Sequence, residues 1–444
     1  MIELPQHSAR GPLTDELHAR PFMPIRAPSQ AVSLALVAES GGATRDPRDD
    51  LAHLNALLSH LGASPCMADG DRVPNFYIGE FESFQLKWER HTEFVTYMIA
   101  PKEGSGAPFE PLIDGLTPPG WLEDSPLRAI AACAVDIVSA ADEAEAERIA
   151  IEELAPHFNR NSLAVTWVTE RAAIALGDFR IDQNGYTRFG VVALDGQIGA
   201  RRLGRVVQRL IEMEVYRVMA MKALPVARAL NPELSLIEAR LAEVARDIAA
   251  ADDNGGPDPQ DDRRILTTLT ALSADLEKVS AENAYRFSAS RAYETIVSDR
   301  ISAIREERLR SRQTFDEFMM RRFLPAVRTI RSADQRMAEL AARGERAANL
   351  LRTRIDVSLQ AQNQRLLQSM NDRARLQLRL QQTVEGLSVV AISYYAVSLS
   401  EYFLKPIFED NVEIAMAVVA IPIVAGVFTL VRRVRMKIEN KQKK

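Results

Sequence analysis

Three polar residues with helical spacing lie inside an otherwise apolar stretch, residues 387–404 (LSVVAISYYAVSLSEYFL). Tyr394, Ser398 and Glu401 follow one another at intervals of four and three residues, so they share one side of a helix that turns by about 100° per residue. Carboxylate and hydroxyl oxygens attract hard cations. The pattern therefore predicts a pore-facing set in which one carboxylate per subunit forms a ring that concentrates cations.

A second group of acids follows directly. Glu409 and Asp410 lie in the short segment 405–411 (KPIFEDN), before another apolar stretch begins. They are predicted to attract cations at the outer mouth of the same path. For Glu401 a second interpretation stays open, because a residue near the end of a membrane helix can also reach the lipid headgroups. Two helices cannot enclose a polar interior alone, so the polar face predicts a homo-oligomer.

Other residues that could do chemistry give weaker signals. His53 and His60 are seven residues apart on one predicted helix, which is too far for a two-ligand metal site. The segment 88–94 (WERHTEF) brings Glu89, His91 and Glu93 together, but alternating polar residues at a hairpin end usually face water. The sequence contains no phosphate-binding loop, no dinucleotide-binding glycine pattern, no HExxH and no nucleophile elbow. We therefore expect no enzyme and no cofactor, with a divalent cation as the candidate ligand.

The elements that carry the polar set are predicted to be two membrane-spanning helices, within 387–431. An 18- to 20-residue helix is roughly 30 Å long, the thickness of a bilayer's hydrocarbon core. The tail 432–444 is rich in Arg and Lys, while the turn 405–411 is acidic. The positive-inside bias then predicts that the tail and the large N-terminal part are cytoplasmic and the turn is outside. The expected location is the inner membrane, with lipid as a partner.

The N-terminal part, residues 1–198, is predicted to be an α+β domain with a mainly antiparallel sheet and helices on one face. Strands are expected at 31–38, 129–140, 162–168, 172–181 and 187–194, and 75–99 is expected to form a hairpin of two strands. Helices are expected at 49–61 and 141–154. Residues 199–251 are predicted to be a helical pair that Pro225 interrupts and that restarts at Pro232, and 252–262 (DDNGGPDPQDD) a flexible linker.

Residues 263–386 are predicted to form long helices and a stalk. Helices are expected to about Arg310, then from Thr314 to Arg343 with a bend at Pro325, and then from Gly344 into the membrane. On the stalk, Leu351, Ile355, Leu359, Leu366 and Met370 form an apolar stripe with many Gln and Asn beside it. Two interpretations stay open for this polar face of the predicted coiled coil. It is either a solvated helix surface, or a functional surface that forms a polar seam between subunits or lines a central vestibule.

Composition limits the remaining function classes. The net charge is −5, and the Arg residues between 286 and 379 alternate with Glu and Asp, which indicates an ion-paired helix surface and no nucleic-acid partner. Cys66 and Cys133 are the only cysteines, too few for a disulfide framework or a multi-cysteine zinc site. The N-terminus MIELPQHSARGPL lacks an apolar core and predicts no signal peptide.

Five strings resemble the bacterial membrane-anchored family called domain of unknown function 3422. They are DELHARPF (15–22), KWERHTEF (87–94), GRVVQRLIEMEVYR (204–217), YRFSASRAYETIVSDRI (285–301) and QLRLQQTVEGLSVVAISYY (377–395). Asp15 stands where that family has Asn. The resemblance extends over nearly the whole chain and implies a membrane-anchored bacterial protein, but it implies no activity, substrate or catalytic residue.

The layout is also similar to that of CorA-type magnesium channels, in which a cytoplasmic α/β domain and long helices precede two C-terminal membrane helices. This similarity implies a homopentamer whose first membrane helix lines a pore. The Gly-Met-Asn signature of those channels is absent, and residues 400–406 (SEYFLKP) take its place. Two main hypotheses follow: an oligomer with CorA-like layout that transports ions, and a membrane-anchored scaffold without transport. An enzyme whose site is in residues 1–198 is the third.

Overall fold

The chain divides into two compact units, Met1–Ala249 with Thr268–Arg346 and Ala250–Thr267 with Ala347–Lys444. This computed structural model describes residues 4, 6–11, 13–14, 21–39, 45–70, 73–102, 109, 116–253, 259–404 and 412–442. The first unit contains the sheet and its helices. The second contains the exposed part of the stalk and the two apolar helices. The predicted α+β fold, with a sheet domain followed by long helices, is therefore confirmed.

The described residues of the first unit contain nine strands in one sheet, in the order β2–β3–β4–β1–β5–β8–β7–β6–β9. Every neighbouring pair is antiparallel except β5 and β8, which are parallel. The mainly antiparallel sheet is therefore confirmed. The strands are β1 (Ser29–Ala38), β2 (Phe76–Glu80), β3 (Phe84–Arg90), β4 (Phe94–Pro101), β5 (Leu127–Ala140), β6 (Ala164–Val168), β7 (Ala173–Ile181), β8 (Thr187–Leu194) and β9 (Glu307–Arg308).

Two details of the predicted sheet were wrong. The region 75–99 forms three strands, because a turn at Phe81, whose N–H donates to the Phe84 carbonyl at 2.9 Å, divides the first predicted strand. Helices also cover both faces of the sheet. Strand β1 is apolar on both sides, so Ala31 and Ala35 face one buried cluster while Leu34 and Leu36 face another. A strand that is buried on both faces loses the alternation of apolar and polar residues.

Helices α1 (Pro47–His60), α2 (Glu143–Arg148) and α3 (Ala200–Met221) pack on this sheet. Helix α4 (Ala223–Asp253) follows α3. Asp46 caps α1 by accepting the Arg48 N–H at 2.8 Å, which satisfies one of the free donors of the first turn. Helix α4 begins before Pro225 and continues through Pro232. The predicted restart at Pro232 was therefore wrong, since tertiary packing outweighs the one backbone bond that a proline removes.

The long helices are α5 (Pro259–Ile304), α6 (Phe315–Arg322), α7 (Leu324–Leu404) and α8 (Val412–Gln442). The first of them ends before the predicted Arg310, and β9 follows it. Helix α7 has 81 residues without interruption, about 120 Å at 1.5 Å per residue. The predicted helix from Thr314 to Arg343 is interrupted at Phe323, between α6 and α7, two residues before the predicted bend. Pro325 therefore lies in the first turn of α7, where no backbone donor is needed. A new helix at Gly344 is not present, because α7 continues through that residue. The central part of the predicted linker, 254–258, lies outside the described residues.

Candidate functional site

The predicted pore-facing residues lie near the C-terminal end of α7, in the second unit. Tyr394 is 69% exposed, Glu401 is also exposed, and Ser398 is half-buried. Their helical spacing keeps all three side chains within about 60° around the helix axis. The structure therefore keeps the three residues on one side of an unbroken helix, as the spacing predicts.

A different side of the same segment is covered by the chain itself. Ser393 is only 6% exposed, and its hydroxyl has no hydrogen-bond partner among the residues that the structure describes. Ser393 is offset from Tyr394 by about 100°. Ser400, which is half-buried, donates its hydroxyl to the Ala396 carbonyl at 2.7 Å. The Tyr394 side thus remains open while the Ser393 side is packed, a difference that the sequence pattern alone did not give.

The second apolar helix, α8, contains Pro422 in its interior and Gly426 four residues later. Thr429 donates its hydroxyl to the Gly426 carbonyl at 2.9 Å. Helices α7 and α8 each contain a stretch that is long and apolar enough to cross a membrane, judged by length and composition. Glu409 and Asp410, the predicted outer cation-attracting residues, lie outside the described residues.

In the first unit, the three candidate ligands of the WERHTEF segment have separate partners. Glu89 pairs with Lys87 at 3.1 Å. Glu93 is 1% exposed and pairs with Arg286, and the Tyr293 hydroxyl lies 3.4 Å from its second oxygen. The His91 ring stacks on Phe94 at 4.3 Å between centroids. Across the described residues, no three His, Cys, Asp or Glu side chains form a group that could hold a metal ion.

His53 is held on both ring nitrogens. Its Nδ1 lies 2.7 Å from the Tyr97 hydroxyl oxygen and its Nε2 lies 3.2 Å from the Trp121 carbonyl oxygen. Its ring also stacks on the Trp121 ring at 4.3 Å between centroids. Burial lowers the pKa of His53, because desolvation disfavours the charged imidazolium. These contacts give the His53 side chain a packing role. His60, the other histidine of this helix, is exposed at the C-terminal end of α1.

Sequence reasoning missed a buried polar layer between α3 and the sheet. Lys87, 2% exposed, donates to the Gln208 Oε1 at 3.0 Å. Glu214 accepts from the Thr187 hydroxyl at 3.0 Å and from two nitrogens of Arg217 at 2.8 Å. A cavity of about 30 Å³ lies beside Lys87 and Gln208, room for one or two water molecules. The only sequence signal for this layer is the spacing of polar residues on the buried side of α3.

The arginines of the helical region pair mostly with carboxylates of other elements. Ion pairs join Arg300 to Glu212, Arg308 to Glu317, Arg331 to Glu294 and Arg336 to Glu238. The ion-paired helix surface is therefore present. Arg308 lies in β9 and pairs with a residue of α6, and the other three pairs each join two different helices. The partners are therefore not on successive turns of one helix.

The family model described as "Protein of unknown function (DUF3422)" matches residues 5–438. A comparison with curated proteins finds no match, and a comparison with solved structures finds none either. The matched range contains the sheet, the long helices and both apolar helices of the structure. The chain therefore belongs to the DUF3422 family.

Proposed function

We propose that this protein is a membrane-embedded homo-oligomer that conducts cations along a central axis. In this proposal the apolar parts of α7 and α8 cross the bilayer, and α7 surrounds the axis with Tyr394, Ser398 and Glu401 facing inward. Glu401 supplies one carboxylate per subunit, and Glu409 and Asp410 add negative charge at the outer mouth. Such rings of carboxylates favour cations over anions.

The observation that carries the proposal is the uncovered polar side of α7. Tyr394 and Glu401 are exposed, whereas Ser393 on a neighbouring side is buried. A carboxylate that faces lipid is energetically costly, so such residues normally face protein or water. Since the residues that the structure describes do not cover this side, other copies of the chain are the simplest cover. Several copies of one polar side around an axis would enclose a wet path.

The stalk part of α7 supports association between copies. Apolar residues recur along it at heptad intervals, and all of them are exposed: Leu359, Leu366, Met370, Leu380, Val384 and Leu387. Asn363, Arg373 and Gln377 occupy the other positions of the same pattern. We call these nine residues the stalk seam. Apolar heptads with a few polar positions are typical of coiled coils in which the polar residues set register and copy number.

The proposed orientation follows from charge. Arg432 and Arg433 begin a basic stretch in the C-terminal part of α8, and positive residues remain on the cytoplasmic side of bacterial inner membranes. The sheet unit is then cytoplasmic as well. This layout is similar to that of the CorA-type channels, from which a pentamer follows by analogy only.

The alternative is a membrane-anchored scaffold without transport. The stalk favours it, because an exposed seam can bind a different helical protein as well as another copy. The two functions differ in whether the assembled membrane part contains a continuous wet path. A flux measurement separates them directly.

The test uses full-length protein in liposomes and measures uptake of Mg²⁺, Co²⁺, Na⁺ and K⁺. Glu401→Gln removes the ring charge while nearly keeping the side-chain shape. We expect cation flux to fall about tenfold or more, because a charged ring raises the local cation concentration by roughly ten- to a thousandfold. Glu401→Lys should reduce the flux further.

Asp372→Asn is the matched control, because Asp372 is an exposed carboxylate on the stalk of the same helix. This variant should conduct as the wild type does, and all variants should keep the same oligomer size. If wild-type liposomes take up none of the four ions while the oligomer is intact, the channel proposal is wrong and the scaffold remains.

A further inference from the structure

A pocket lined by arginine and phenylalanine side chains lies on the first unit, and Arg217 connects it to the buried polar layer. It has a volume of about 200 Å³ and lies between the end of β7, the C-terminal part of α3 and helix α6. Its principal lining residues are Ser162, Phe179, Arg180, Arg217, Phe318 and Arg322. None of the predictions from sequence used these residues.

A bulge in β7 builds one wall of the pocket. The pairing of β7 with β8 shifts between Gly177 and Ile181, and Phe179 adopts a φ of 54°, in the left-handed region that phenylalanine rarely occupies. Asp178 holds this backbone, since its carboxylate accepts the N–H of Asn159 at 2.8 Å and of Arg180 at 3.1 Å. Strained, bulged strand ends are frequent beside binding sites, where they redirect a side chain.

The redirected Phe179 ring completes a stack of four side chains. It lies on the Phe318 ring with 4.7 Å between centroids. The Arg217 guanidinium carbon is 5.5 Å from the centre of the Phe179 ring, and that of Arg322 is 5.4 Å from the centre of the Phe318 ring. Both distances fall within cation–π range. One guanidinium group therefore lies near each ring of this aromatic pair.

Two of the three arginines that line this pocket differ from the ion-paired arginines of the helical region, because they have no carboxylate partner among the described residues. Arg217 has a carboxylate partner in Glu214. Arg180 donates its Nε to the Ser162 hydroxyl at 3.2 Å, and Arg322 donates to the Asn161 carbonyl at 3.1 Å. Within the described part of the chain neither of these two arginines pairs with a carboxylate. One carboxylate, Asp178, also lines the pocket, and its two oxygens accept the backbone N–H groups of Asn159 and Arg180.

We propose that this pocket binds the phosphate group of a small metabolite. Guanidinium groups present several N–H donors in a planar fork that matches phosphate oxygens, and Arg180 and Arg322 have donors to spare. Pockets for drug-sized ligands span about 300–1,000 Å³, so a pocket of about 200 Å³ suits a phosphate with a short organic part rather than a whole nucleotide. The Phe179 and Phe318 rings supply the apolar surface for that organic part.

The experiment measures binding to full-length protein in detergent by isothermal titration calorimetry at constant ionic strength. Inorganic phosphate and glycerol phosphate are the soluble probes, acetate is the simple-anion comparison, and short-chain phosphatidic acid is the lipid probe. We expect saturable binding of both soluble phosphates and none of acetate. Arg180→Gln and Arg322→Gln should each weaken binding about tenfold, as expected for the loss of one charged hydrogen-bond donor group.

Arg321→Gln is the matched control, because Arg321 is an exposed arginine of the same helix that does not line the pocket. It removes the same charge and should leave the affinity unchanged. Circular dichroism melting without phosphate checks that every variant folds. The proposal is overturned if neither soluble phosphate binds, if only the lipid binds, or if Arg321→Gln weakens binding as much as the pocket variants do.

Discussion

At the scale of single residues, His53 shows how a titratable group becomes part of a core. Its ring contacts the Tyr97 hydroxyl, the Trp121 carbonyl and the Trp121 ring. The pKa of His53 is lowered from an ordinary value of 6.5 by burial. The unfolded chain therefore binds a proton at a higher pH than the folded protein does. Folding stability is full above pH 6.5 and is lost progressively as the pH falls toward the lower pKa of the folded state.

We predict that His53→Gln flattens the pH dependence of stability between pH 7.5 and 5. In the wild type this single group contributes a slope of at most about 1.4 kcal/mol per pH unit, and glutamine has no proton to gain in that range. The measurement is the free energy of unfolding by denaturant at several pH values. His60→Gln, at the exposed end of the same helix, is the control and should keep the wild-type slope. An equal slope in His53→Gln and wild type would contradict the prediction.

Residue-scale prediction from sequence succeeded where the signal was local. The common side of Tyr394, Ser398 and Glu401 follows from helical spacing alone, and the structure keeps it. The partners of Glu93 and of Lys87 do not follow, because Arg286 and Gln208 are more than a hundred positions away along the chain. The arginine pocket was missed for the same reason: it needs the bulge at Phe179 and the approach of α6 to β7, and both depend on the tertiary fold.

At the scale of elements, α3 approaches the N-terminal segment very closely. The Ile25 N–H donates to the Ala200 carbonyl at 3.0 Å. A Cβ placed on Gly204 would lie only 1.8 Å from the Met23 carbonyl oxygen. Since that oxygen belongs to the backbone, a larger residue would push the whole segment away from the helix. Met23 and Ile25 are themselves fully buried, so the segment anchors one side of the core.

We predict that Gly204→Ala lowers the free energy of unfolding by about 2–3 kcal/mol, as expected for overpacking against a rigid neighbour. The measurement is denaturant unfolding of the full-length protein. Gly199→Ala is the control: Gly199 precedes the same helix and its Cβ position is empty within 4 Å. This change should cost far less. A loss of equal size in the two variants would mean that the close contact with Met23 is not the cause.

Elements were predicted well where length and periodicity agreed. Helix α1 and strands β5 to β8 appear where the apolar patterns place them, whereas prolines and turns misled. Pro232 looked like a helix break, yet it lies inside α4, whereas near Pro325 the helix does break, at Phe323 between α6 and α7. A proline's effect depends on its position relative to the helix start, and single-sequence patterns locate that start only to within a few residues.

At the scale of the whole molecule, the stalk seam is the feature that bears on assembly. It is exposed along the stalk of α7, and each seam residue alone would be unremarkable on a soluble surface. Together, at heptad spacing, they form a mainly apolar strip that Asn363, Arg373 and Gln377 interrupt. Copies that associate through this strip would place their α7 helices parallel to one another. The same arrangement would allow neighbouring copies to cover the Tyr394 side.

We predict that full-length protein in mild detergent forms a discrete multimer and that Leu366→Glu with Leu380→Glu weakens it. Both changes place a charge in the stalk seam, where the partner helix would have to desolvate it. Leu367→Glu with Leu378→Glu is the matched control, since these leucines are equally exposed but lie off the seam. Light scattering coupled to size exclusion gives the mass. A monomeric wild type would contradict both this prediction and the proposed pore.

The continuity of α7 also fixes an angular relation along the stalk. The helix has no break between Leu351, which is buried, and Tyr394. The effect of an inserted or deleted residue is therefore transmitted to all later residues of the helix. One inserted residue would turn every later side chain by about 100° and move it by about 1.5 Å. Seven inserted residues would restore the orientation to within about 20°, and eleven would do the same in the opposite sense. An insertion or deletion in the stalk therefore keeps the orientation of the Tyr394 side only when it changes the length by about seven or eleven residues.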